Sequence, residues 1–164
     1  MAIEIYWETA SRPLEDKAVC EAAEAAMRHG GREGSRLSIV FINDAEMVRI
    51  HDEYLGDPTP TDVITFDLSE QNDEPGDLPA ELAALLAEAP VGELFVGVEM
   101  AQKVARERGV SEARELALYV VHGALHLCGF DDHDPEERAA MRVAESLVMA
   151  ELGYEEDSAP HERE

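Results

Sequence analysis

Apolar and polar positions alternate over Ala2–Glu8, setting Ile3, Ile5 and Trp7 against Glu4, Tyr6 and Glu8, which predicts a strand. From Pro13 the apolar spacing lengthens to a helical period and holds to about Arg28, where His29-Gly30-Gly31 is a stop signal. Arg36–Asn43 (RLSIVFIN) predicts a second strand, and Asn43 or Asp44 caps a helix to about Leu55 with Met47, Val48, Ile50 and Tyr54 as its apolar positions. His51 inside that helix reads as an exposed or core residue. The turn Gly56-Asp57-Pro58-Thr59-Pro60-Thr61 then delivers a β-branched third strand, Asp62–Leu68. After a polar, acidic stretch and a short surface helix over Glu81–Glu88 comes a fourth strand, Gly92–Val98. Glu99–Arg108 predicts a helix closed by Gly109, and Ser111 caps the next, with Glu112 and Glu115 in its first turns. Asp134-Pro135-Glu136-Glu137 supplies an N-cap, Pro at N1 and Glu at N3 for a last helix to about Leu152.

Four strands among about five helices predict a single small α/β (α+β) domain built on a mixed sheet. The domain spans residues 1–153, with an acidic loop or short-helix insertion at 69–91, and 154–164 form an acidic flexible tail. There is no internal repeat and no Gly-rich phosphate loop.

The candidate chemistry lies in Val121–Asp134, VHGALHLCGFDDHD. His122 and His126 are one helical turn apart and point the same way. Gly129 ends the helix, and the returning chain brings Asp131, Asp132 and His133 towards both imidazoles. Two ligands on a rigid helix and a third from the loop make a three-point metal site with a coordination position left open, as catalytic zinc requires. Paired core histidines are the bland alternative, but the spaced Gly, acid and His argue against it. In the H-E-x-x-H metalloproteases a Glu beside the first His is the general base. Here that position is Gly123, which disfavours protease chemistry and leaves room for a bulky substrate. A metal so held would lower the pKa of a bound water to roughly 7.

The chain carries 37 acidic against 13 basic residues, a net charge of −24. Such a surface repels nucleic acid, unless basic residues gather on one face. No run of 18 apolar residues occurs, and the N-terminus lacks the basic-then-apolar pattern of a secretory signal. Cys20 and Cys128 are too few for a disulfide framework and fit free thiols in a reducing cytosol, so the expected location is cytoplasmic. Cys128 reads as a small buried hydrophobe despite its place beside the motif.

Three blocks of the chain resemble the YbeY family of zinc-dependent endoribonucleases, also called rRNA maturation factors. HGALHLCGFDDHDPEERAAMRVAE (122–145) is similar to H-G-x-L-H-L-x-G-[YF]-D-H, YLGDPTPTDVITFDL (54–68) to Y-R-x-x-x-x-P-T-D-V-L-S-F, and GELFVGVEMAQKVARE (92–107) to G-D-[IL]-x-I. The resemblance implies one zinc ion in a cleft and cleavage of single-stranded RNA during 16S ribosomal RNA 3′-end maturation, with the small ribosomal subunit or its assembly proteins as partners. It makes His122 and His126 the first two ligands. The third family His falls at Asp132, with His133 one residue later as the alternative ligand. The family Arg after the Tyr of the second block is replaced by Leu55, and Arg49, earlier on the same helix, is a possible helper in its stead. The departures at Leu55 and Asp132 read as a coupled variant, facing each other across the cleft.

The leading expectation is therefore metal-assisted phosphodiester hydrolysis, with no general base identifiable from the residues. Arg106, Arg108, Arg114 and Arg142 could guide an RNA backbone, but read more readily as partners of neighbouring acids. A ribosome-assembly binding protein with a structural metal and little nuclease activity is the alternative, since an acidic surface suits basic protein partners. The acidity also fits adaptation to high salt, where charge repulsion is screened. On that hypothesis the unfolding midpoint rises from low to molar KCl, and thermal melts showing no gain with salt would rule it out.

Overall fold

The computed structural model describes residues 3–68, 79–81 and 90–154. Its elements run β1 (Ile3–Trp7), α1 (Asp16–His29), β2 (Leu37–Ile42), α2 (Asp44–Leu55), β3 (Val63–Asp67), β4 (Gly92–Gly97), α3 (Val98–Arg108), α4 (Glu112–Leu127) and α5 (Pro135–Glu151). The expected short helix, beyond Glu81, and the tail from residue 155 lie outside the described residues, as does most of the expected insertion.

The sheet is mixed, in the order β1-β2-β4-β3. β1 and β4 run parallel to β2, and β3 closes one edge antiparallel to β4, pairing Val63 with Val96 and Asp67 with Gly92. β2 is central and buried along its whole length, which is why its sequence is a near-continuous apolar run rather than an alternation. One face of the sheet carries the main core, where Phe41, Leu94 and Val96 meet apolar residues of α1, α4 and α5. The other face carries a small cluster of Val40, Ile42 and Ile64 under Met47 and Ile50 of α2. Among the described residues, no helix is long and apolar enough to cross a membrane.

The caps follow the sequence closely. Asn43 accepts from the Glu46 amide, Ser111 from that of Arg114 and Asp134 from that of Glu137, each satisfying a first-turn donor. Two boundaries differ from expectation. α1 starts at Asp16 rather than Pro13, because Leu14 is first buried in the core and only then does the chain wind up. β4 stops at Gly97 and α3 begins at once with Val98, so no loop separates strand from helix.

Gly97 makes that abrupt junction possible. Its amide donates to the Asp62 carbonyl at 2.8 Å. A Cβ at this position would meet the Thr61 carbonyl oxygen at 2.9 Å and that of Asp62 at 3.4 Å, both backbone atoms with little freedom to retreat. Gly97→Ala is thus expected to displace the Thr61–Asp62 segment and destabilise the fold by about 1–3 kcal/mol. Urea unfolding of the variant beside the parent checks it.

Candidate metal centre

α4 is the most enclosed helix, buried from Leu116 to Val121 and packed against β3, β4, α1, α3 and α5. It reaches the sheet closely because of Gly123. A Cβ there would lie 3.0 Å from both Leu94 methyls and 3.1 Å from a Val63 methyl. This corrects the expectation that Gly123 leaves room for substrate, since its missing side chain is replaced by the packed sheet. Thr65 Oγ1 on β3 also points at the Gly123 carbonyl at 3.5 Å. With that turn seated, the adjoining His122 and His126 emerge beside the edge strand β3.

The helix ends as its glycine foretells. Gly129 adopts φ of 102°, with its amide on the His126 carbonyl at 3.1 Å and the Phe130 amide on the Leu125 carbonyl at 3.1 Å. That pair of bonds is the Schellman closure, which reverses the chain and returns Asp131–His133 past the imidazoles. Arg32, from beyond α1, donates to the Leu127 carbonyl at 2.8 Å and supplies positive charge at the negative end of α4.

Three atoms converge at this point. His122 Nε2 and His126 Nε2 are 3.2 Å apart, and Asp132 Oδ2 lies 3.8 Å from the first and 3.7 Å from the second. A tetrahedral ion with ligand bonds of about 2.0–2.1 Å has edges of roughly 3.3–3.4 Å; the His122–His126 edge is close to this, and the two edges to Asp132 are longer. His122, His126 and Asp132 are thus a group able to hold a metal ion. Burial and then the neighbouring His122 press the His126 pKa below its ordinary value, against a smaller opposing pull from Asp132. At neutral pH that ring is uncharged and its lone pair is free for a cation.

His122 is oriented from behind. Its Nδ1 donates to Glu145 of α5, a carboxylate only 6% exposed. This bond places the proton on Nδ1 and turns the Nε2 lone pair to the triangle, the carboxylate–histidine arrangement that supports many metal sites. Sequence reasoning quoted Glu145 within its motif but assigned it no role. Its position on the inward face of α5, beside Met141 and Val148, is the signal that could have found it.

His133 does not join the triangle. It is 78% exposed and its Nδ1 sits 3.3 Å from Asp131 Oδ2. Arg49 is not brought to the site either. It lies nearly opposite His51 around α2 and does not line the cleft, and Glu46 and Glu53 hold its guanidinium. Arg106, Arg108, Arg114 and Arg142 do not line the cleft, and Arg114 is buried. Cys128 turns away to Met27, with Sγ 3.8 Å from the Met27 sulfur, and burial raises its pKa.

The triangle opens onto a cleft of about 500 Å³. His51 and Leu55 of α2 form one wall, residues 61–67 the floor, and α4 with the Asp131–His133 loop the other wall. Asp62, Asp67, Asp131 and Asp132 line it, without an Arg or Lys among the described residues. Leu55, at 60% exposure, presents an apolar surface where the resemblance would put a cation.

A family model described as Endoribonuclease YbeY matches residues 7–153. The chain is 33% identical over 136 residues to the endoribonuclease YbeY of Bacillus licheniformis, covering 82% of each protein. To that of Desulfitobacterium hafniense it is 32% identical over 160 residues, covering 93% of this chain and 98% of the relative. To that of Rhodopirellula baltica it is 38% identical over 152 residues, covering 88% and 71%. The solution structure of a Thermotoga maritima protein superposes with a TM-score of 0.55 at 21% identity, covering 96% of this chain and 99% of that one, a likeness of fold.

Removing Glu145 with Ala is expected to weaken divalent-metal binding about 10–100-fold, as loss of a ligand's supporting carboxylate does. Competition against a chromophoric chelator measures it, and Glu145→Gln should fall between the variant and the parent.

Proposed function

Because the chain belongs to the YbeY endoribonuclease family, we propose that it is a zinc-dependent endoribonuclease of single-stranded RNA that acts in 16S ribosomal RNA 3′-end maturation in the cytoplasm. The observation that carries this reading is the triangle of His122 Nε2, His126 Nε2 and Asp132 Oδ2 at the edge of a cleft. Two imidazole nitrogens and one carboxylate oxygen are a donor set that zinc would accept, and three protein ligands would leave a coordination position open. A purely structural ion would sit in a closed four-ligand site, whereas these side chains keep 16%, 24% and 22% of their surface exposed.

When bound, the ion supplies Lewis acidity towards a phosphate oxygen and lowers the pKa of a nearby water. The residues do the rest. Glu145 holds the His122 tautomer, and burial keeps His126 neutral. Asp132 contributes a negative charge, which lowers the net charge of a loaded site from +2 to +1 and makes it a milder electrophile than three imidazoles would. Leu55 and the carboxylates of the cleft leave recognition of the RNA backbone to the ion rather than to a guanidinium clamp. The acidic surface suits basic proteins of the small ribosomal subunit or its assembly as partners.

His126→Ala is expected to abolish both RNA cleavage and zinc binding while circular dichroism shows the fold intact. Chelator-stripped parent protein should lose cleavage of a single-stranded RNA oligonucleotide and regain it with added zinc. Undiminished cleavage by the stripped protein would end this reading.

A further inference from the structure

Besides His122 and His126, two more imidazoles line the cleft: His133, from the loop after α4, and His51, from α2. His51 lies one helical turn before Leu55 and lines the same cavity. Its Nδ1 is 2.7 Å from the carbonyl oxygen of Thr59, in the turn that follows α2. A carbonyl oxygen only accepts, so the Nδ1 of His51 carries the proton. The neutral ring therefore keeps its lone pair on Nε2. The anchor is a backbone atom in a stiff segment: Thr59 stands between two prolines, and its hydroxyl donates to Asp57 at 2.6 Å. The tautomer and the ring direction are both set before any substrate arrives.

Three carboxylates of the cleft are engaged differently, and His133 is 78% exposed with its Nδ1 on Asp131 rather than on a backbone anchor like that of His51. Asp62 accepts from the Val63 amide at 2.8 Å and fixes the start of β3. Asp131 accepts from the Asp132 amide at 3.1 Å and approaches His133. Asp132 faces the two ligand imidazoles. An attacking water needs a group that can take its proton near neutral pH, and an imidazole with a free lone pair is the side chain best matched to that task.

We infer that His51 is the catalytic base of RNA cleavage, its Nε2 accepting the proton of the water that attacks the phosphodiester; this rests on the endoribonuclease reading above. The water oxygen forms the new bond to phosphorus and its proton passes to Nε2. The bond from phosphorus to the leaving ribose oxygen breaks with its electron pair, and that oxygen takes a proton from solvent. The imidazolium then returns its proton to solvent, so one water is consumed and a phosphomonoester and a hydroxyl are formed. The Nδ1 bond to Thr59 persists through both protonation states and keeps the ring in place.

The test compares His51→Asn and His51→Ala with the parent on one single-stranded RNA oligonucleotide, in the zinc-loaded protein. Asn keeps an N–H donor for the Thr59 carbonyl but has nothing in place of Nε2. Both variants are expected to lose about 10²-fold or more in kcat, with KM, zinc affinity and thermal midpoint close to the parent's. Added imidazole should restore part of the rate of His51→Ala. A parent-like kcat in His51→Asn overturns the inference, as does a loss of rate that merely tracks lost zinc affinity. A parent that cleaves no RNA with any divalent metal fails the reading beneath it, a result distinct from active parent and active variants.

Discussion

The contact of α4 with the sheet at Gly123 is the constraint from which the site follows. A helix with a side chain at this position would meet Leu94 and Val63 and be held off. At this closer distance Thr65 and the Gly123 carbonyl approach each other, and both flanking histidines come level with the edge strand. The antiparallel pairing of β3 matters for the same reason. It places a strand edge, rather than another crossover helix, beside the imidazoles, and so leaves space for a cleft. A helix propensity loss of about 1 kcal/mol at glycine is the cost of this seating, offset by the apolar contacts that surround the rest of α4.

Around that seat, the positioning groups come from distant parts of the chain. Glu145 reaches His122 from α5, Arg32 reaches the last turn of α4 from beyond α1, and Asp132 returns through the Gly129 reversal. Each is set by a rigid element or a satisfied backbone bond. The candidate ligands are therefore held by the same packing that makes the core, and a disturbance of α5 would reach His122 directly through Glu145.

What could be read in the sequence divides along the same line. Local rules sufficed for the capped helices, because Asn43, Ser111 and Asp134 act on amides three residues away. They also sufficed for the strands, the glycine reversal and the pairing of His122 with His126, all of which depend on near neighbours. Glu145 was not legible, since its role needs α5 to pack on α4. The purpose of Gly123 was misread, because an absent side chain looks the same whether substrate or sheet fills the space. The anchoring of His51 on the Thr59 carbonyl was not legible either, because it depends on how the proline-bounded turn folds back on α2. Arg49 seemed available because a sequence does not show that Glu46 and Glu53 already hold it. The start of α1 slipped by three residues because Pro13 is a permitted first residue but Leu14 has a place in the core.

The charge of the cleft ties these observations to the nuclease reading. Relative to the pattern that the chain resembles, Leu55 in place of an arginine removes one positive charge, and Asp132 in place of a neutral imidazole adds one negative charge, one change at each wall. With four carboxylates lining the cleft and a net charge of −24 over the whole chain, long-range attraction cannot gather RNA to this protein. Screening changes that balance with distance. The Debye length is about 10 Å at 0.1 M salt and about 3 Å at 1 M, so salt suppresses the repulsion of the distant surface while contacts at bonding distance survive. On the proposed reading, recognition would rest on short-range contacts in the cleft, where His51, Leu55 and the group of His122, His126 and Asp132 stand. The acidic surface and the replaced arginine are in this view compatible, because a protein whose distant charges are screened has little use for a cation that works by steering.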